Sequence, residues 1–172
     1  MPLTVYLGHG ASGNAASMAG HVAGLERRGF AARAIDLPRG KADAAVPAWR
    51  AAVPDGRDSV VGGQSFGGRV ASLAAAEPGA DYAAIVLFSY PLHPPGDPGK
   101  AEARVAHWPA ITCPVLLISG ESDPLARIEL LRTAVQLLPN AELVTYPRLG
   151  HTLKPVLDDA LDRTAAFLLG LA

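Results

Sequence analysis

A chain of 172 residues, 49% hydrophobic and 18% charged, is long enough for one packed core and too short for two, so a single domain over residues 1–172 is expected. A net charge of −1, with no basic cluster larger than Arg27-Arg28, argues against nucleic acid and anionic membrane as partners. The single cysteine, Cys113, allows no internal disulfide and no cysteine-based metal cluster.

No apolar run approaches the roughly 20 residues that span a bilayer. The opening Met1-Pro2-Leu3-Thr4-Val5 has no basic leader segment, so a cytoplasmic protein is expected, with neither cofactor nor metal. From there, strand and helix signals alternate, the pattern of a parallel sheet with helices on both faces. Leu3 to Leu7 is a short apolar strand that ends in the turn Gly8-His9-Gly10-Ala11-Ser12-Gly13. Asn14 is placed to cap a helix running to Arg28, with Met18, Val22 and Leu25 at core spacing and Gly29 as its stop. A second strand covers Phe30 to Leu37 and closes at Pro38. A weaker helical pattern from Asp43 to Ala52 contains Pro47.

Ser59 to Gly62 reads as the third strand and Phe66 to Ala76 as the helix after it, ended by Pro78-Gly79. Ala84 to Phe88 is the fourth strand. Tyr90 to Pro109 is rich in proline and glycine, with a weak helical stretch from Ala101 to Ala106; a connection this long in a compact domain suggests a binding loop. Pro114 to Ser119 is the fifth strand. The next helix is expected to begin at Pro124, with Leu125, Ile128, Leu131, Val135 and Leu138 on one face. Ala141 to Tyr146 is the sixth strand and Pro155 to Leu169 the closing helix.

At the junction of the third strand and its helix lies Gly63-Gln64-Ser65-Phe66-Gly67, a Gly-x-Ser-x-Gly pentapeptide between a β-branched run and an alanine-rich helix. That context makes a nucleophile elbow, in which a sharp turn exposes the serine hydroxyl. A serine needs a general base, and the base needs a third group to orient it. Asp123 follows the fifth strand and His151 the sixth, in the order Ser, Asp, His, at the sheet edge where open α/β proteins place their sites. Glu121 is the alternative carboxylate. The backbone N–H groups of Ala11 and Phe66 are the expected oxyanion donors. His9 is expected to brace the first turn. Tyr90, Leu92 and His93 are expected to form one wall of the substrate site. A competing reading takes Gly8-x-Gly10-x-x-Gly13 as a dinucleotide fingerprint, with Asp36 as its acidic residue.

Taken together, Leu7-Gly8-His9-Gly10-Ala11, Gly62-Gly63-Gln64-Ser65-Phe66-Gly67-Gly68-Arg69-Val70-Ala71-Ser72 and Gly120-Glu121-Ser122-Asp123-Pro124 resemble the α/β-hydrolase superfamily. Tyr90-Pro91-Leu92-His93-Pro94-Pro95-Gly96 resembles its small, lidless dienelactone-hydrolase-like branch. That branch includes the testis-expressed hydrolase-like proteins and the third subunit of the NSL chromatin complex. The resemblance implies a minimal three-layer α/β/α sandwich of about six mostly parallel strands, two fewer than the usual eight, with no lid. It also implies Ser65, Asp123 and His151 as a triad, with serine where dienelactone hydrolases commonly carry cysteine. The expected activity is a serine hydrolase that cleaves a small acyl ester or thioester through an acyl-enzyme, as monomer or homodimer. The alternative from the same branch is a non-catalytic interaction protein on the hydrolase fold.

Overall fold

Residues 2–171 are described by a computed structural model. Strands β1 (Thr4–Gly8), β2 (Ala31–Ile35), β3 (Gly56–Gln64), β4 (Tyr82–Phe88), β5 (Val115–Gly120) and β6 (Ala141–Tyr146) form one all-parallel sheet in the order β2-β1-β3-β4-β5-β6. Between them run α1 (Ala19–Glu26), α2 (Ala42–Ala52), α3 (Phe66–Ala75), α4 (Ala101–Val105) and α5 (Ile128–Ala134), with α6 (Leu157–Leu169) last.

Period-2 alternation in the strands divides the core in two. Val5, Leu7, Val86, Phe88, Leu116 and Ile118 pack with Leu25 of α1 and Leu161 and Leu168 of α6. Tyr6, Ile85, Leu87, Val115 and Leu117 face the other way, toward Trp49 of α2, Val70 of α3 and Leu131 of α5. The central strands are buried on both faces, which is why they read as unbroken apolar runs.

Three helices start later than the sequence expectation. The first helix is preceded by a 3-10 turn, Ala15–Met18. There the Asn14 side chain accepts from the Ser17 N–H while the Ser17 hydroxyl donates to the Asn14 carbonyl, local bonds that favour the tighter turn. Helix α5 starts at Ile128 rather than Pro124 because side chains occupy the intervening amides. Asp123 accepts the Leu125 N–H at 2.8 Å and His93 accepts the Arg127 N–H at 3.0 Å. The last helix likewise begins at Leu157, after a 3-10 turn over Lys154–Val156. Pro47 is tolerated inside α2, where Ala45, Val46 and Trp49 are buried.

A buried histidine and a half-buried one should make the fold acid-sensitive. His21 lies in α1 with its ring 5.0 Å from Phe88, and burial pushes its pKa down to about 4. His107 is also lowered to about 4, first by burial and then by the Arg69 charge. Its Nε2 is 2.8 Å from the Ser72 hydroxyl, whose proton goes to the Arg69 carbonyl, so Nε2 carries a proton and donates. Both residues bind a proton more readily unfolded than folded. Their contribution is therefore complete above the unfolded value of 6.5 and is lost as pH falls toward about 4. For His21 the loss is on the order of 3 kcal/mol, and less for the more exposed His107. Urea unfolding should show stability dropping between pH 6.5 and 4.5, with a shallower drop in His21→Phe. A flat profile would contradict neutral burial of these rings.

Candidate active site

The turn from β3 into α3 is forced into an unusual backbone shape. Ser65 sits at φ 49° and ψ −113°, a region that costs a non-glycine residue on the order of 1–3 kcal/mol. Its N–H donates to the Phe88 carbonyl at 2.9 Å, which stitches the elbow to β4. Gly63 and Gly67 flank it because both lie against Gly8 of β1; a Cβ at either would be driven into the Gly8 backbone.

Ser65, His151 and Asp123 form one continuous chain of hydrogen bonds. His151 Nε2 is 3.0 Å from the Ser65 hydroxyl, and Nδ1 is 2.7 Å from Asp123 Oδ2. A carboxylate only accepts, so Nδ1 carries the proton and Nε2 is left to accept from Ser65. Asp123 is buried, whereas His151 remains partly open, with 28% of its side chain exposed. The second carboxylate oxygen takes the Leu125 N–H, so Asp123 caps its turn and orients the imidazole at once.

The loops after β5 and β6 press together to bring these residues into reach. The Ser122 N–H donates to the Leu149 carbonyl at 2.8 Å, and a Cβ on Gly120 would strike the carbonyls of Leu149 and Gly150. Glu121 points elsewhere: it accepts from Thr145 at 2.7 Å and from Arg132 at 3.3 Å.

Ser65, Phe66 and Ala11 open onto one cavity of about 550 Å³. Neither the Ala11 nor the Phe66 N–H donates to a protein acceptor among the described residues, so both are available to an oxyanion. His9 pins the first turn, with Nδ1 bonded to the Gly10 carbonyl at 2.7 Å and Nε2 accepting the Leu37 N–H at 2.9 Å.

The expected wall of Tyr90, Leu92 and His93 is corrected by their burial. Tyr90 donates its hydroxyl to the Arg104 carbonyl and packs edge-on to Trp108, and Leu92 is wholly enclosed. His93 spends both ring nitrogens on backbone, Nδ1 on the Pro94 carbonyl and Nε2 on the Arg127 N–H. These three side chains anchor the loop from below, while Pro91, Pro94 and Pro95 line the cavity.

The dinucleotide reading meets a similar obstacle. Asp36 accepts the Ala15 N–H at 2.7 Å and Asn14 the Ser17 N–H, so amides that a pyrophosphate would need are already occupied. Arg69 and Arg104 also line the cavity and have no place in the sequence reading. Arg69 could have been found there, since a residue four positions after Ser65 rises from the same helical face.

A family model described as an alpha/beta hydrolase domain matches residues 37–167. No curated protein is a significant match. Among solved structures, Est1E from Butyrivibrio proteoclasticus superposes with a TM-score of 0.81 at 18% identity, covering 99% of this chain and 88% of that one. A monoacylglycerol lipase from Paleococcus ferrophilus gives 0.82 at 15% identity, over 98% and 95%. The butyrate-bound form of Est2, an esterase from Thermogutta terrifontis, gives 0.79 at 18% identity, over 99% and 84%. At these identities the shared property is the fold.

Proposed function

Because the chain belongs to the alpha/beta hydrolase domain family, we propose that it is a serine esterase acting on small acyl esters or thioesters through Ser65, His151 and Asp123. The observation that carries this reading is the unbroken bond chain from the Ser65 hydroxyl through His151 to buried Asp123. As Ser65 Oγ attacks the acyl carbon, its proton passes to His151 Nε2, and Asp123 stabilises the resulting imidazolium. The tetrahedral oxyanion is held by the Ala11 and Phe66 amides. The carbonyl re-forms, the bond to the leaving oxygen or sulfur breaks, and His151 returns the proton to that atom. Water then repeats the sequence on the acyl-enzyme: its proton goes to His151 and on to Ser65, and the free acid departs.

That two structural neighbours are a monoacylglycerol lipase and an esterase supports the same class of substrate. We further place the chain in the lidless dienelactone-hydrolase-like branch on its Tyr90-to-Gly96 string, as a cytoplasmic monomer or homodimer. No helix among the described residues is long and apolar enough to cross a membrane.

A fluorophosphonate probe should label wild type at Ser65 and leave Ser65→Ala unlabelled. Absence of labelling would move the non-catalytic interaction reading ahead. With no lid, kcat/KM should rise from acetate to butyrate esters and level off by octanoate. Each methylene adds about 0.8 kcal/mol only where it is buried. A continued steep rise to octanoate would instead indicate an enclosed acyl tunnel.

A further inference from the structure

The cavity beside Ser65 is lined by three cationic side chains and, among the described residues, one carboxylate. Arg69 lies four residues beyond the nucleophile, in the first turn of α3. Its Nε is buried without a hydrogen-bond partner. Arg104 of α4 lines the same cavity, with Nη1 donating to the Pro91 carbonyl at 2.9 Å. Burial, and then the Arg69 charge, lower the Arg104 pKa, as expected for two like charges near one another. Lys41 adds a third cation, and Asp43 is the only carboxylate in the lining. Elsewhere this chain pairs its partly buried arginines: Arg28 with Asp158 and Asp162, Arg50 with Asp55 and Glu77. Among the described residues, neither Arg69 nor Arg104 is ion-paired.

The position of this charge indicates which half of an ester it meets. His151 must reach the leaving atom to protonate it, so the leaving group lies on the His151 side of the reacting carbon. The cavity is lined by Ser65, Phe66, Ala11 and the arginines but not by His151, which makes it the acyl side. We propose that Arg69 and Arg104 form a subsite for a carboxylate at the far end of the acyl group. The preferred substrates are then hemiesters or hemithioesters of short dicarboxylic acids. Guanidinium forks match a carboxylate with paired N–H donors, and an anion between them relieves their mutual repulsion. This inference rests on the esterase reading above.

The test compares methyl hydrogen glutarate with methyl pentanoate, its uncharged counterpart, following methanol release. Hydrolysis of the first consumes one water and yields glutarate and methanol. Wild type should favour the hemiester by roughly 10- to 100-fold in kcat/KM, mostly through KM. Arg69→Gln should bring that ratio close to one, and Arg104→Lys should retain more of it than Arg104→Gln. Arg69→Glu should shift preference toward methyl 5-aminopentanoate. Equal handling of the two esters by wild type, or an unchanged ratio in both glutamine variants, overturns the subsite and leaves the esterase standing. Calorimetry with glutarate and with inorganic phosphate separates the two claims. If no ester is hydrolysed and Ser65 is unlabelled, yet glutarate binds in an Arg69-dependent way, the esterase reading falls and the subsite survives. Phosphate binding more tightly than glutarate overturns the carboxylate assignment, as does no glutarate binding at all.

Discussion

Ser65→Ala is expected to lower kcat for ester hydrolysis by about 10⁴-fold or more, leaving only what the oxyanion donors and substrate binding contribute. The fold should survive. Removing the hydroxyl forfeits one hydrogen bond to the partly exposed His151, a loss of about 1 kcal/mol. The strained backbone at φ 49° is the same in both proteins, so it does not enter the difference. A urea midpoint lowered by no more than that loss implies, paired with the loss of turnover, would place the effect in the chemistry. Substantial turnover by the alanine variant would remove Ser65 from the mechanism.

Asp123→Asn is expected to cost a comparable factor of about 10⁴ in kcat, by a different route. The asparagine carbonyl can still take the Leu125 N–H, so the turn should hold. Its amide would then face His151 Nδ1 as a donor, forcing the ring proton onto Nε2, where it blocks acceptance from Ser65. Glu121→Gln is the control, because Glu121 is bound to Thr145 and Arg132 and makes no bond to His151. It should stay within a few-fold of wild type. A crippled Glu121→Gln beside an active Asp123→Asn would reassign the orienting carboxylate. If both were active, His151 would not be working as an oriented base.

The sheet is legible in the sequence because its central strands are enclosed on both faces. Runs such as Ala84 to Phe88 have no other reading once proline and glycine bound them. The turn at Ser65 is legible for a similar reason, since the change from strand to helix period falls on the serine itself. What the sequence does not carry is the direction of side chains in irregular backbone. Between Tyr90 and Gly96 nothing periodic separates residues that face the cavity from those that face the core. The polar-looking His93 proves to be buried, and Pro91, Pro94 and Pro95 line the site instead. The start of α5 is hidden likewise, because His93 takes the Arg127 amide from across the fold. Arg69 and Arg104 come together only in the tertiary fold, where both line one cavity.

Strand β6 borders the sheet with β5 as its single neighbour, and most of its residues are only half buried. His151 hangs from that strand, 86 positions along the chain from Ser65. The bond chain from Ser65 to His151 therefore depends on an edge of the sheet, and it needs β3 and β6 both in place. Fraying there would detach the base while the interior strands kept their amide protection. On the esterase reading, turnover should therefore be lost before the global unfolding transition, in step with hydrogen exchange at β6.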